Sequence, residues 1–433
     1  MFVKLCTVIV TVFASILTMF SPVPDVTPMQ VEQDSSFVPV LRFVVSSDSH
    51  VKKFGDMGCE RIMKMIETGY AAAEADENYK TLDAAVLVGD TTNTGLPSTF
   101  YGIRAAVSKV LKDETDFLAV AAKNHDSYLG RVSRGYISGI SEDKADFHKV
   151  INGYHFIGLS ACADIIFHYS RAQINWLDKQ LAEAVADDPS KPVFVFQHEH
   201  IAGTVYGSLS EDSWGVDFLT ETLEKYPQVI DISGHSHYPA NDPRSIWQGA
   251  FTALNDGGLA YYEFTIDGRN SQHPESSDNM AHILLVEVDA DNNVKVRVCD
   301  LNAEKVLAEF MIDNVTEPVK TKYAHDARKA AATAPVFTSA PDVKVNGKTV
   351  SVTTAPAVPG NDDVVFIYRL KILGTTNNTL VSQKKLGDYY KTDDCADITF
   401  TADLEPGEYT AVITAEDAWG IAGESETVTF EVQ

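Results

Sequence analysis

The chain reads as an α/β layered domain followed by a small all-β domain. Short apolar runs alternate with helical periodicity as far as Tyr238, and that alternation implies crossover units in a parallel or mixed sheet. From Phe251 to Asp313 the pattern becomes strands and turns, and beyond Pro335 it is apolar–polar alternation. With 433 residues the chain is long for one hydrophobic core, so two domains are expected.

The elements follow in order. Lys4, the apolar run Leu5–Phe20 and the closing Ser21-Pro22 make residues 1–21 a secretion signal. The run is short for a membrane span of about 20 apolar residues, and an uncleaved anchor is the alternative. The expected location is therefore secreted or cell-surface, with membrane contact only through that segment. After a polar stretch, Ser21–Ser36, the first β-rich run is Leu41–Ser47. Cys59–Ala75 has helical periodicity through Ile62, Met65, Ile66 and Tyr70. Leu82–Val88 is a buried strand, and Tyr101–Leu111 is helix-like. Phe117–Ala122, His155–Ser160, Val193–Gln197 and Val229–Ser233 are further strands. Gln173–Val185 is an amphipathic helix with Ile174, Leu177 and Leu181 on one face. Ile283–Val288 and Val294–Val298 form a hairpin across an Asp/Asn turn. Residues 37–313 are thus one layered domain. Residues 314–334, rich in Lys, Ala and Thr, are a linker, and 335–433 are all-β.

Composition bounds the function. Apolar content of 45% and aromatic content of 10% describe a folded chain. A formal net charge of −26 argues against nucleic acid or an anionic membrane surface as partner. An anionic substrate would need a local reversal of sign. Cys59, Cys162, Cys299 and Cys395 are widely spaced, with no Cys-x-x-Cys, and read as buried free thiols.

Five short stretches at predicted strand ends carry chemistry: Asp48-Ser49-His50, Gly89-Asp90, Asn124-His125-Asp126, His198 and Gly234-His235-Ser236-His237. They supply oxygen and nitrogen donors of the kind that hold a pair of divalent metals. In open α/β sheets the C-terminal ends of strands converge on the ligand crevice, so these donors are expected at one edge. A lone His is usually a hydrogen-bonded core or surface residue; independent strands all ending in donors weaken that reading.

This series, in this order, resembles the calcineurin-like metallophosphoesterases over about residues 45 to 300. Gly153–Ser160 is similar to the family's fourth core strand, and Gln173-Ile174-Asn175-Trp176-Leu177 to the start of its following helix. The resemblance implies a four-layer αββα sandwich. It implies one metal on Asp48, His50, His237 and Asp90, and a second on Asp90, Asn124, His198 and His235, with Asp90 bridging. The metals would be manganese, iron or zinc. His125 would stay unliganded as general acid, next to the phosphate with Asn124. The implied reaction is hydrolysis of a phosphomonoester or phosphodiester by a hydroxide between the metals; an acid donor is most useful for poor leaving groups, which favours diesters. The four positive charges of two divalent ions outweigh the two of Asp48 and Asp90 and reverse the local sign.

Two positions depart from the family. Lys123 stands where the family has Gly before Asn-His. On a backbone with φ > 0 it would cost about 1 kcal/mol or more. On an ordinary backbone it is a tolerated surface substitution or a point charge toward the phosphate; a degenerate, non-catalytic relative is the third reading. Asn93 stands where the purple acid phosphatase branch has a metal-binding Tyr, which argues against that branch. Glu199 and His200 read as pocket-rim residues, since a spacing of two cannot put His198 and His200 on one helix face. Arg131, Arg134 and Tyr136 follow the Asn-His-Asp loop and read as a solvated loop before substrate contacts.

Leu404–Tyr409 resembles the tyrosine corner of an immunoglobulin-like sandwich, and Trp419–Ser425 the loop before the last strand of a fibronectin type III module. Two rival functions stay open. One is a non-catalytic surface binding or adhesion protein acting through that sandwich. The other is a nucleotidase or sphingomyelinase-like hydrolase on the same metals.

Overall fold

A computed structural model describes residues 25–141, 143–162, 168–210, 212–266, 269–318, 322–361, 363–391 and 396–433. The expected signal, residues 1–21, and Cys395 lie outside them. The chain divides into two compact units: Asp242–Arg244 and Lys322–Gln433 form the second, and the remainder forms the first.

The first unit is mixed α/β and is built on two six-stranded sheets. One runs in the spatial order Lys305–Ile312, Val294–Asp300, His282–Asp289, Pro39–Ser46, Ala84–Val88, Asp116–Val120. Its last three strands are parallel, with Val45 opposite Val86; the first three pair antiparallel as a meander onto the edge of Pro39–Ser46. The other runs Ile246–Gln248, Thr252–Asn255, Val229–Ser233, Val193–Phe196, Tyr154–Gly158, Phe147–Ile151. Its four middle strands are parallel.

Side chains alternate across each strand. Val44, Ala85, Leu87 and Ala119 point to one face of the first sheet, where they share a core with Ile62, Met65 and Ile66 of helix Met57–Ala75 and Ile103 and Val107 of helix Pro97–Val110. Phe43, one residue out of phase, points the other way. Its ring meets Phe156 and Phe194 of the second sheet edge-on at 5.1 and 4.9 Å, a favoured aromatic geometry. The opposite face of the second sheet, through Ile157 and Val195, packs on Leu177, Leu181 and Ala184 of helix Arg171–Asp187. Ser170 and Gln173 form a capping box that starts this helix.

Met29 and Val31 are buried in the first core, and Met29 N–H donates to Thr68 Oγ1 at 3.1 Å. The fold therefore begins before residue 37, where periodicity alone places it. Arg42, fully buried in mid-strand, is satisfied by Asp76, Glu287 and the Tyr79 carbonyl. Cys59, Cys162 and Cys299 are buried. Among the described residues no helix is long and apolar enough to cross a membrane.

The second unit pairs a three-stranded sheet, Asp342–Asn346, Thr349–Thr354 and Ile398–Asp403, with a four-stranded one, Thr379–Leu386, Val365–Leu373, Gly407–Asp417 and Glu426–Val432. Val350, Val352 and Phe400 from one share a core with Leu370, Ile372, Ala411 and Ile413 from the other. Tyr409 Oη donates to the Glu405 carbonyl at 2.7 Å, which fixes the turn entering its strand. The helix His325–Ala331 occupies part of the stretch read as a linker.

Candidate metal centre

Each chemistry-bearing stretch lies just past the C-terminal end of a parallel strand. Pro39–Ser46, Ala84–Val88 and Asp116–Val120 deliver Asp48 and His50, Asp90, and Asn124 and His125. Val193–Phe196 and Val229–Ser233 deliver His198, and His235 and His237. Backbone bonds lace these turns together: Asp48 N–H to the Gly89 carbonyl (3.0 Å), His50 N–H to the Asp90 carbonyl (3.1 Å) and Gly234 N–H to the His198 carbonyl (3.0 Å).

Three overlapping groups result. Asp48, His50 and His237 offer donor atoms that all lie within 4.8 Å of one another, as do Asp90, His198 and His235, and His50, Asp90 and His125. His198 Nε2 is 3.3 Å from Asp90 Oδ2, and His237 Nε2 is 3.3 Å from Asp48 Oδ1. Asn124 stands apart. It is exposed, its carbonyl accepts from Ser127 Oγ at 2.8 Å, and among the described residues its side chain makes no hydrogen bond.

The donors are presented for a ligand. His198 Nδ1 donates to the Val88 carbonyl at 2.8 Å and His237 Nδ1 to the Tyr261 carbonyl at 3.0 Å. Carbonyls only accept, so each ring spends Nδ1–H on the backbone and turns Nε2, the nitrogen it can offer a cation, toward the cluster. His198 Nε2 and Asp48 Oδ1 are buried with no hydrogen-bond partner. An unmet buried polar atom costs about 1–3 kcal/mol, and a cation coordinated there would satisfy both.

The backbone is strained at the same points. Asp48, His50, Asp90, His235 and His237 have φ of 51°, 43°, 44°, 71° and 58°, a region that costs a non-glycine residue about 1–2 kcal/mol. Such strain clusters at functional sites. Two glycines make room. A Cβ on Gly89, itself at φ 88°, would lie 2.6 Å from His198 Nδ1, and one on Gly234 would lie 1.9 Å from Ser47 Oγ.

Charge within the cluster is mutually compensated. Burial alone would raise Asp48 and Asp90, but the neighbouring imidazoles hold both carboxyls well below the usual range. Burial opposes protonation of His198, yet Asp90 and Asp48 raise it well above an ordinary histidine. His237 is pushed down to about 4 and His235 downward, in both cases chiefly by burial. These two rings stay neutral and can ligate.

Several residues outside the ligand set support it. Asp126, fully buried, accepts from Thr91 Oγ1 (2.8 Å), Thr92 N–H (2.9 Å) and Ala122 N–H (3.1 Å), tying the Asp90 turn to the Asn124 loop. Ser47 Oγ lies 2.5 Å from Asp48 Oδ2 and 2.6 Å from Asp256 Oδ1. Asp256 is raised well above a normal carboxyl by burial, and the Ser47 hydroxyl sits between it and Asp48. His200 is 2.9 and 2.7 Å from the hydroxyls of Ser233 and Ser236, on either side of His235.

Burial corrects the rim assignment of Glu199 and His200, which are 1% and 0% exposed. Neither a charged residue type nor its spacing announces that. Arg134 is not a solvated loop residue: it starts helix Arg134–Ser141 and its guanidinium binds the Ser160 and Ala161 carbonyls and Asp146. Tyr136 stacks on Phe100 at 5.4 Å, while Arg131 is exposed in a two-residue strand. Lys123 is absent from the positive-φ residues, so its replacement of a glycine carries no backbone penalty. Asn93 contributes its carbonyl, 2.9 Å from His125 Nδ1.

No protein-family profile and no curated protein matches the chain. Among solved structures it is similar to a purple acid phosphatase from yellow lupin (Lupinus luteus) seeds, at 13% identity and a TM-score of 0.44, over 70% of this chain and 57% of that one. It is also similar to a human fourth FNIII domain, at 17% identity and a TM-score of 0.16, over 22% of this chain and 77% of that one. A third is an endonuclease/exonuclease/phosphatase from Beutenbergia cavernae, at 11% identity and a TM-score of 0.12, over 65% of this chain and 64% of that one. The chain thus spans 57% of the lupin phosphatase's length. At these scores the site rests on its own geometry.

Proposed function

We propose that the chain is a metal-dependent phosphoester hydrolase with two divalent ions, manganese, iron or zinc. Asp48, His50, His237 and Asp90 would hold one, and Asp90, Asn124, His198 and His235 the other. The observation that carries this is the pairing of two donor groups, each with a buried atom that makes no hydrogen bond, Asp48 Oδ1 in one and His198 Nε2 in the other. The ions would supply Lewis acidity toward phosphate oxygens and a water acidic enough to attack near neutral pH. Asn124 would join the second group, since an exposed amide is free to turn toward a cation.

His125 moves the proton. Its Nδ1–H donates to the Asn93 carbonyl at 2.9 Å, so Nε2 is the atom that protonates the departing alkoxide, a role worth about 10²–10⁴-fold. Its backbone N–H donates to Asp90 Oδ1 at 3.1 Å, which holds the residue next to the Asp90 carboxylate. One observation favours a second role: a nitrogen of His125 lies within ligating range of His50 and Asp90.

Within this reading the first unit is a four-layer αββα sandwich of the metallophosphoesterase type, residues 37–313 with the earlier strand of chain that packs on it. Residues 335–433 are a fibronectin type III-like sandwich, 314–334 the linker, and residues 1–21 a signal or anchor that places the protein outside the cytoplasm. The substrate is a small phosphate ester, with no nucleic acid partner. Elemental analysis of purified protein, paired with p-nitrophenyl and bis-p-nitrophenyl phosphate assays, tests the proposal. Two ions per chain and hydrolysis of either ester are expected. Metal-loaded protein inert on both would turn the reading to a binding protein on a metal scaffold.

A further inference from the structure

Lys123 precedes Asn124 and His125, and it is the end of a hydrogen-bonded relay that begins beside His198. Glu199, next to that ligand and 1% exposed, places Oε1 3.1 Å from His168 Nδ1, while Tyr169 Oη donates to its Oε2 at 3.2 Å. A carboxylate accepts, so His168 Nδ1 carries the proton and Nε2 carries a lone pair. That lone pair faces the Lys123 ammonium at 3.4 Å. Phe218 stacks on the His168 ring at 5.1 Å and 28°, which fixes its plane. Among the described residues no carboxylate pairs with the ammonium. A flexible lysine is thereby held by His168 within the same loop as the proposed acid, two residues before His125, in a chain of net charge −26.

We infer that Lys123, positioned by His168 and Glu199, is an oxyanion-binding residue that biases this site toward dianionic phosphoryl groups. This rests on the hydrolase reading and deepens it by naming the charge class of the substrate. A phosphomonoester carries one more negative charge than a diester at neutral pH. A fixed cation near the phosphate therefore attracts the monoester more strongly, by about tenfold for one extra charge at contact distance.

The test uses the full, metal-loaded chain. Lys123→Met is expected to lower the ratio of kcat/KM on p-nitrophenyl phosphate to that on bis-p-nitrophenyl phosphate about tenfold, mainly through KM, with the metal content unchanged. Lys123→Arg should restore most of the ratio. His168→Phe, which keeps a ring against Phe218 but removes both nitrogens, should shift it the same way by a smaller factor. Equal losses on both esters, an unchanged ratio, or loss of metal from Lys123→Met would each make the lysine a loop support and overturn the inference. Calorimetric binding of inorganic phosphate and of diethyl phosphate to the same proteins separates the two readings. If neither ester is hydrolysed, the hydrolase reading fails. A phosphate preference that Lys123→Met abolishes would then still uphold the oxyanion site, and its persistence would sink it.

Discussion

His125 is fixed at two points, its ring by the Asn93 carbonyl and its backbone N–H by Asp90 Oδ1. Deleting the ring therefore separates the acid role from the ligand role. In His125→Ala the acid reading predicts two retained ions. It also predicts a loss of about 10²–10⁴-fold on alkyl esters, with a much smaller loss on p-nitrophenyl esters, whose leaving group departs unprotonated. Metal loss in that variant would favour coordination through the group with His50 and Asp90. Asp90 invites the complementary change. It is 2% exposed and within 3.3 Å of His198 Nε2. Asp90→Asn preserves its shape but removes the charge that a bridging role needs, so at least one ion should be lost. Unchanged stoichiometry by elemental analysis would contradict the bridge.

At the level of elements, the strand Val229–Ser233 and the turn after it show how local structure sets the site. Gly234 follows the strand so closely against Ser47 that a Cβ would sit 1.9 Å from Ser47 Oγ and 2.7 Å from Asp48 Oδ2. Gly234→Ala must displace Asp48 and should weaken metal binding about 10–100-fold, the usual cost of disturbing a ligand's support. Gly203→Ala, at an open position with φ 78°, should cost stability alone; equal metal affinities in the two variants would refute the packing argument. Asp231 in the same strand is pushed up to about 8 by burial against only the Gln197 amide. Its folded pKa lies above the unfolded value near 3.8, so its contribution to stability is complete below that value and disappears as pH rises through about 8. The melting-temperature advantage of wild type over Asp231→Asn should therefore shrink from pH 4 to 8 and then level off. An advantage that grows with pH would mean the carboxyl is ionised in the fold. These strands were legible because all-apolar runs such as Val193–Phe196 end abruptly in His or Asp. Phe147–Ile151 and Lys305–Ile312 were not, because they are edge strands whose mixed burial blurs the period. Met29 and Val31 were missed for a related reason: a docked extended segment has no periodicity to read. The ligand types were legible at strand ends. The supports Asp126, Asp256 and His200 were not, since polar residues disclose their burial only through partners far away in the chain.

Across the whole molecule, the proposed ligands and the two sheets that deliver them belong to one compact unit, while the second unit has a core of its own around Val352, Leu370, Phe400 and Ile413. Separate cores unfold as separate cooperative transitions when little links them. Ligands that bind only the folded state raise its stability by mass action, by about 2.7 kcal/mol for each ion at a hundred times its dissociation constant. Stripped of its ions, the first unit would carry the cost of burying Asp48, Asp90 and the imidazoles of His50, His198 and His237, so chelation should weigh on it alone. Scanning calorimetry of the full chain is expected to show two endotherms. Chelator should move one of them down by several degrees, returned metal should restore it, and the other should stay in place. In Asp90→Asn the metal-sensitive endotherm should already sit near its chelated position and respond little to chelator. A single endotherm, or two that move together on chelation, would mean that the all-β unit shares in the metal-linked stability.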